Sequence, residues 1–92
     1  MGHRARPKPA KLAGKLSRIR SELNLSQSKM IKKLGFADYL RQSHISAFEL
    51  GTREPPLPVL LRYAKVAGIT MEMLVDDEIE LPKHLTTFGS RK

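Results

Sequence analysis

Three glycines divide the middle of this chain into short segments, and this division limits what the chain can fold into. Each of Gly35, Gly51 and Gly68 follows a segment whose apolar residues can share one helical face. Glycine is common directly after the last turn of a helix because it adopts the left-handed backbone conformation at little cost. The pattern therefore predicts a series of short helices that pack on one another to bury their apolar faces.

The segment before these glycines has the clearest helical spacing. Four apolar residues recur at intervals of four, three and four: Leu12, Leu16, Ile19 and Leu23. This spacing predicts a first helix that starts at Lys11 and is broken by Asn24. Ser26 is expected to cap a second helix, which ends at Leu34 before Gly35.

The third segment requires a choice between a long and a short helix. If the helix started before Leu40, then Leu40 and Ile45 would lie on different faces, about 140° apart. We therefore expect a loop over residues 36–42. A short helix is then predicted over residues 43–50, with Ile45 and Phe48 facing the core.

Two more helices are predicted after Gly51. Pro58 suits the first turn of a fourth helix that stops at Gly68, and Thr70 is expected to cap a short fifth helix. The core contacts of the fourth helix are predicted from one apolar set: Leu57, Leu60, Leu61 and Ala64. The following acidic stretch, DDEIE at 76–80, has too little apolar area for a firm assignment.

Charge is unevenly distributed along the chain. The formal net charge is +8; residues 1–20 hold seven Lys and Arg and no acid, whereas residues 71–80 hold five acids and no Lys or Arg. An excess of positive charge attracts polyanions such as nucleic acid or anionic membranes. Residues 1–10, with their prolines and cations, are predicted to be a flexible basic arm.

Composition argues against several classes of protein. The chain has no cysteine, which rules out disulfides, thiolate catalysis and Cys-ligated zinc. No apolar run approaches a membrane span or a signal-peptide core, so we expect a cytoplasmic protein without membrane contact. His3, His44 and His84 are scattered and lack a metal-binding partner at helical spacing. We therefore expect no enzyme activity, no metal site and no cofactor.

The order of these features resembles the phage-repressor (Cro/CI-type, XRE) helix-turn-helix family. The resemblance depends on an ordered set of motifs: Leu-Ser-Gln at 25–27, Ile-Ser at 45–46, Glu-x-Gly at 49–51, Pro55, Ala64 and Gly-Ile-Thr-x-x-x-Leu at 68–74. It implies an all-α, five-helix lambda-repressor-like DNA-binding domain over residues 11–76. An acidic segment and C-terminal tail then occupy residues 77–92.

The chain departs from the family pattern in the turn before the third helix. Nine residues separate Gly35 from Ile45, more than this family usually places there, so the turn is enlarged. The roughly four extra residues cost the fold little by loop-closure scaling. They leave open which residues begin the third helix.

The resemblance implies that the third helix lies in the DNA major groove with its first turn facing the bases. The side chains then expected to contact bases are Gln42, Ser43, His44 and Ala47. A glutamine can pair bidentately with adenine, and an alanine can contact a thymine methyl group. The alternative for Gln42 and Ser43 is that they cap the helix.

The resemblance implies that Gln27 contacts a phosphate. Further phosphate contacts are expected from residues that flank the third helix or lie behind it: Lys29, Tyr39, Arg41, Thr52 and Arg53. Gln27 starts the second helix, where free amides and the helix dipole favour anions; the alternative is a solvated surface glutamine. The resemblance also pairs Arg20 with Glu49 in a buried salt bridge between the first and third helices.

The basic arm resembles an AT-hook core in which alanine replaces glycine. Its cations are Arg4, Arg6 and Lys8. Two roles remain open for them: contact with the DNA minor groove, or a diffuse tether that follows the phosphates.

These expectations converge on a sequence-specific double-stranded DNA-binding transcriptional regulator. We expect a repressor that binds a palindromic operator as a homodimer, because one reading helix covers only half of a typical site. The alternative is an antitoxin-like or adaptor protein whose acidic segment at 76–80 binds a partner protein.

Overall fold

The structure, a computed structural model, describes residues 9–85. These residues form five α-helices joined by loops. They are α1 (Leu12–Leu23), α2 (Gln27–Leu34), α3 (Gln42–Leu50), α4 (Leu57–Ala67) and α5 (Met71–Val75). Residues 9–85 contain no strand, and the all-α, five-helix prediction is confirmed. The predicted roles of Arg4, Arg6 and Lys8 lie outside the described residues.

Local sequence signals set the ends of these helices. Ser26 Oγ accepts a hydrogen bond from Lys29 N, and Thr70 Oγ1 accepts one from Met73 N, each at 3.1 Å. Both predicted N-caps are therefore formed. The first four helices all end at a residue with positive φ: Asn24, Gly35, Gly51 and Gly68.

One hydrophobic core joins the five helices. Tyr63 of α4 is the largest fully buried side chain. Its companions in the fully buried set come from every helix: Leu16, Ile19, Met30, Leu34, Ile45, Leu74 and Val59. Around this core α1 packs against α3, α4 and α5, and α2 packs against α3 and α4. The core therefore holds α3 by its inner face.

The prediction of which α4 residues face the core is wrong at two positions. Leu57 and Leu61 are 69% and 43% exposed. The helix instead buries a different set: Val59, Leu60, Tyr63, Ala64, Val66 and Ala67. Apolar residues surround most of α4, so their spacing allowed more than one inward stripe, and packing selects the stripe that contains Tyr63. Leu57 and Leu61 remain as an exposed apolar pair one turn apart.

The enlarged turn between α2 and α3 is a packed structure. The amides of Tyr39 and Leu40 both donate to the carbonyl of Phe36, each at 2.9 Å, which closes a helical turn. Leu40 enters the core, whereas Tyr39 is 62% exposed. The extra residues thus add a leucine to the core, and α3 begins at Gln42, one residue before its expected start.

The acidic segment continues the packed structure beyond α5. Leu81 belongs to the core, and Lys15 of α1 is buried at 7% exposure. The ammonium of Lys15 donates to three backbone carbonyls, at 2.6, 2.9 and 2.7 Å: those of Met73, Asp76 and Ile79. A buried charge is tolerated when it is fully hydrogen-bonded, so Lys15 anchors this segment to α1.

Asp77 caps the start of α1 from the far end of the chain. Its carboxylate accepts hydrogen bonds from the amides of Ala10 at 2.8 Å and Lys11 at 3.0 Å. These backbone hydrogen bonds hold the pKa of Asp77 below its ordinary value. The first turn of α1 contains no acidic residue of its own, so Asp77 supplies the negative charge that this helix end favours.

We expect Lys15→Met to lower the free energy of unfolding by about 2–3 kcal/mol. Hydrogen bonds to charged groups contribute about 1.5–3 kcal/mol each. The variant loses three of them but also removes the cost of burying the ammonium, so the net loss is smaller than their sum. Urea denaturation measures the change. Lys33→Met, at an exposed position of α2, is the matched control and should stay within about 0.5 kcal/mol of the wild type. Equal stability of the two variants would contradict the anchoring role of Lys15.

Asp77 should also make stability depend on pH. Because its pKa is lower in the folded protein, its stabilisation is fully present above the unfolded pKa of about 4 and is lost as pH falls through the folded pKa. The Tm of the wild type should therefore exceed that of Asp77→Asn at neutral pH, and the gap should close in acid. Glu80→Gln removes the same charge at an exposed position and should shift Tm less. A gap for Asp77→Asn that stays constant from neutral pH to about pH 2 would refute this role.

Candidate nucleic-acid interface

One face of α3 is open to solvent along its length. Gln42 and Ser43 in its first turn are exposed, and Ala47 is half-buried one turn later. Ile45 and Phe48 lie on the opposite side, in the core. The structure therefore presents three of the four predicted base-contacting residues on one outward surface.

A chain of hydrogen bonds connects this outward face to the interior. Gln42 Nε2 donates to Gln27 Oε1 at 3.2 Å, and Gln27 Nε2 donates to Glu49 Oε1 at 3.4 Å. Arg20 Nε donates to Glu49 Oε2 at 2.6 Å, and Arg20 Nη2 donates to Glu49 Oε1 at 2.9 Å. A third bond runs from Arg20 Nη1 to the carbonyl of Leu25 at 2.9 Å. In this network Arg20 thus orients Glu49, Glu49 orients Gln27, and Gln27 orients Gln42.

The ion pair at the inner end of this network joins α1 to α3. The side chain of Glu49 is 8% exposed and that of Arg20 is 23% exposed. Their two-pronged geometry matches a planar guanidinium to a carboxylate. The hydrogen bond to Glu49 raises the pKa of Arg20. Burial, and then the charge of Glu49, raise the pKa of the Tyr63 phenol, which therefore stays neutral beside the pair.

The start of α2 adds hydrogen-bond donors next to Gln42. The first amides of an α-helix, here those of Gln27 and Ser28, have no carbonyl within the helix to bond. They lie at the positive end of the helix dipole, which favours anions. Lys29 in the same turn is exposed. This end of α2 is therefore suited to a phosphate group.

A groove of about 550 Å³ runs along the other flank of α3. Tyr39, His44 and Arg53 line it, together with Leu40, Phe48 and residues 54–56. His44 Nδ1 accepts a hydrogen bond from the amide of Arg41 at 2.9 Å, so the ring proton of neutral His44 is on Nε2. The structure places His44 with Tyr39 and Arg53 in this groove, where its Nε2–H can act as a donor.

The loop after α3 brings more polar groups to the same side of the molecule. Thr52 Oγ1 donates to the carbonyl of Ala47 at 3.3 Å, and Arg53 is exposed. Pro9 and Ala10 line a smaller pocket of about 90 Å³ together with Arg53. The described chain therefore starts beside the loop that follows α3.

Residues 9–85 lack two features of other protein classes. This range includes no helix of the length and apolarity needed to cross a membrane. It also holds no group of three or more His, Asp or Glu side chains that could bind a metal ion.

Comparison with known proteins identifies the family. A model of the helix-turn-helix family matches residues 16–74, nearly two thirds of the chain. The chain belongs to the helix-turn-helix family. No curated protein and no solved structure matches it.

In this helix-turn-helix protein, α2 and α3 are the two helices of the motif and residues 35–41 are its turn. The match identifies a DNA-binding transcriptional regulator of the XRE type. The sequence analysis assigned a role to each side chain of the network, but it predicted neither the bond from Gln27 to Glu49 nor the bond between Gln27 and Gln42. No sequence spacing signals the bond between Gln27 and Gln42, because an enlarged turn separates the two residues.

We expect Glu49→Ala to lower the free energy of unfolding by about 3 kcal/mol. This is the low end for breaking a buried ion pair, because Arg20 keeps some contact with water. Thermal and urea melts measure the change, and Glu80→Ala at an exposed position is the control. The DNA sequences that this variant prefers should remain largely those of the wild type, whereas its Tm should fall. A melt indistinguishable from wild type would refute the pairing.

Proposed function

We propose that this helix-turn-helix protein reads a specific operator with α3 in the major groove and represses transcription as a homodimer. The network from Arg20 to Gln42 carries the proposal. Gln27 holds one hydrogen of the Gln42 amide, which leaves the second N–H and the carbonyl oxygen for another partner. This donor–acceptor pair matches N7 and N6 of adenine.

The network also lowers the cost of binding. An exposed glutamine samples several rotamers in solution, and fixing it on DNA costs conformational entropy. Gln42 is already oriented by Gln27, which is in turn oriented by Glu49. A base contact by Gln42 would therefore lose less entropy than one by an unconstrained side chain.

Polar and charged residues on both sides of α3 support the same orientation on DNA. Gln27 and Lys29 lie at the start of α2, and Arg41, Thr52 and Arg53 lie at the two ends of α3. Contacts with phosphates fix the register of a protein on DNA without reading sequence. We propose that these residues, with Tyr39 from the enlarged turn, contact the backbone on each side of the groove that α3 enters.

The exposed leucines of α4 support the homodimer. Leu57 and Leu61 form an apolar pair that the monomer leaves in solvent, and a second copy of the chain would cover it. In helix-turn-helix dimers the two reading helices lie about one DNA turn apart, an arrangement that corresponds to a palindromic operator. A dimer bound over a promoter would block transcription, and we therefore propose repression. A cytoplasmic location stays a prediction of the sequence.

The antitoxin or adaptor hypothesis depends on the acidic segment. Asp76 and Asp77 are half-buried there, with the Asp77 carboxylate bonded to the start of α1, whereas Glu78 and Glu80 are exposed. A partner would therefore find two free carboxylates. Co-purification of a stoichiometric basic protein would favour this hypothesis.

The basic arm remains part of the proposal through its sequence. Arg4, Arg6 and Lys8 lie outside the described residues, and their contact with DNA stays a prediction. Pro9 and Ala10, which follow them, lie beside the loop after α3. The arm is thus attached close to the surface that we propose for DNA.

The direct test is selection from a random duplex library. We expect enrichment of a palindromic motif with two half-sites separated by about one helical turn. An enriched motif without a palindrome would contradict the homodimer, and no enrichment would contradict operator reading altogether.

Two variants separate base reading from backbone contact. Gln42→Ala should cost about 1–3 kcal/mol at one base position of the selected duplex and little at the others. Arg53→Ala should weaken binding to all sequences alike and lower the magnitude of the salt slope by about 1. Lys65→Ala, at an exposed position of α4, is the control for lost charge. A uniform loss of affinity for Gln42→Ala would exclude it from base reading.

A further inference from the structure

The last residue of α3 is a leucine that lies largely in solvent. Leu50 is 73% exposed, the highest value among the large apolar side chains of residues 9–85. It lies on almost the same line along the helix as Ser43, about 20° away around the axis. Ala47 lies between them along the helix axis, and around the axis it is within about 60° of both. Leu50 therefore extends the outward face of α3 and not the inner face that carries Ile45 and Phe48.

The chemistry of leucine limits what Leu50 can meet on DNA. Its side chain has no hydrogen-bond donor or acceptor, so it cannot hold a phosphate or the polar edge of a base. The apolar group that bases present in the major groove is the C5-methyl of thymine. Contact between the two would remove apolar surface from water, which favours binding in proportion to the area buried.

We propose that Leu50 contacts the C5-methyl group of a thymine and so selects thymine at one operator position. This inference rests on the proposed function, in which α3 lies in the major groove. The face that carries Leu50 is continuous with the one that carries Gln42 and Ser43, so a helix that lies along the groove brings Leu50 to the same groove.

The length of α3 sets where that thymine should lie. A helix rises about 1.5 Å per residue, so Leu50 lies about 12 Å along the axis from Gln42. Successive bases of one strand are about 3.4 Å apart. The thymine is therefore expected roughly three to four base pairs from the position under Gln42. Ala47 lies nearer to Gln42, so a thymine that it contacts should be a different one.

The test removes methyl groups from the DNA and the leucine from the protein. Each thymine of the selected duplex is replaced in turn by deoxyuridine, which lacks only the C5-methyl group. The wild type should bind one of these duplexes about fourfold more weakly, at the predicted distance from the Gln42 position. For Leu50→Ala this difference should disappear there and persist at every other methyl-sensitive position.

Val75→Ala is the matched control, because Val75 is also an exposed apolar residue but belongs to α5. It should keep the full pattern of methyl sensitivity, and Leu50→Ala should melt like the wild type because it removes no core contact. Unchanged methyl sensitivity in Leu50→Ala, or none in the wild type at the predicted distance, would overturn the role of Leu50 alone. Failure to enrich any duplex in the selection would overturn both this role and the proposed function.

Discussion

The ion pair between Arg20 and Glu49 is the interaction on which the reading surface depends. A carboxylate as buried as that of Glu49 requires a charged partner, since an unpaired buried charge is very costly. Arg20 meets this requirement from α1 and so fixes the position of α3 relative to the rest of the domain. The same carboxylate orients Gln27, which orients Gln42. This interaction therefore works with the core to hold the proposed reading helix in place, and it also orients the side chain at the start of that helix.

The fold partly offsets the uneven charge of the chain by placing the acidic segment against the basic start of α1. The acidic segment returns to the basic start of α1, where Asp77 bonds the amides of Ala10 and Lys11. Lys15 holds backbone carbonyls of the same segment. These contacts steady the end of α1 that lies beside the loop after α3. The acidic segment thus acts as part of the scaffold behind the proposed DNA surface.

Features set by neighbouring residues were predictable from the sequence, whereas most features set by contacts between distant residues were not. The caps at Ser26 and Thr70 were predictable because each is formed within one turn of chain. The inward stripe of α4 was not, because only packing around Tyr63 distinguishes it from the stripe with Leu57 and Leu61. Three further features also have no local pattern: the carbonyls that bind Lys15, the bond from Gln42 to Gln27, and the entry of the enlarged turn into the core.

We propose above all that the outward face of α3, held by the network from Arg20, contacts DNA. Nuclear magnetic resonance of the side-chain amides during titration with the selected duplex tests it most directly. The signals of Gln27 and Gln42 should shift together, with the backbone amides of the first turns of α2 and α3, while those of residues 76–80 stay in place. Shifts confined to residues 76–80 or to α4, with both glutamine signals unchanged, would contradict this contact between α3 and DNA.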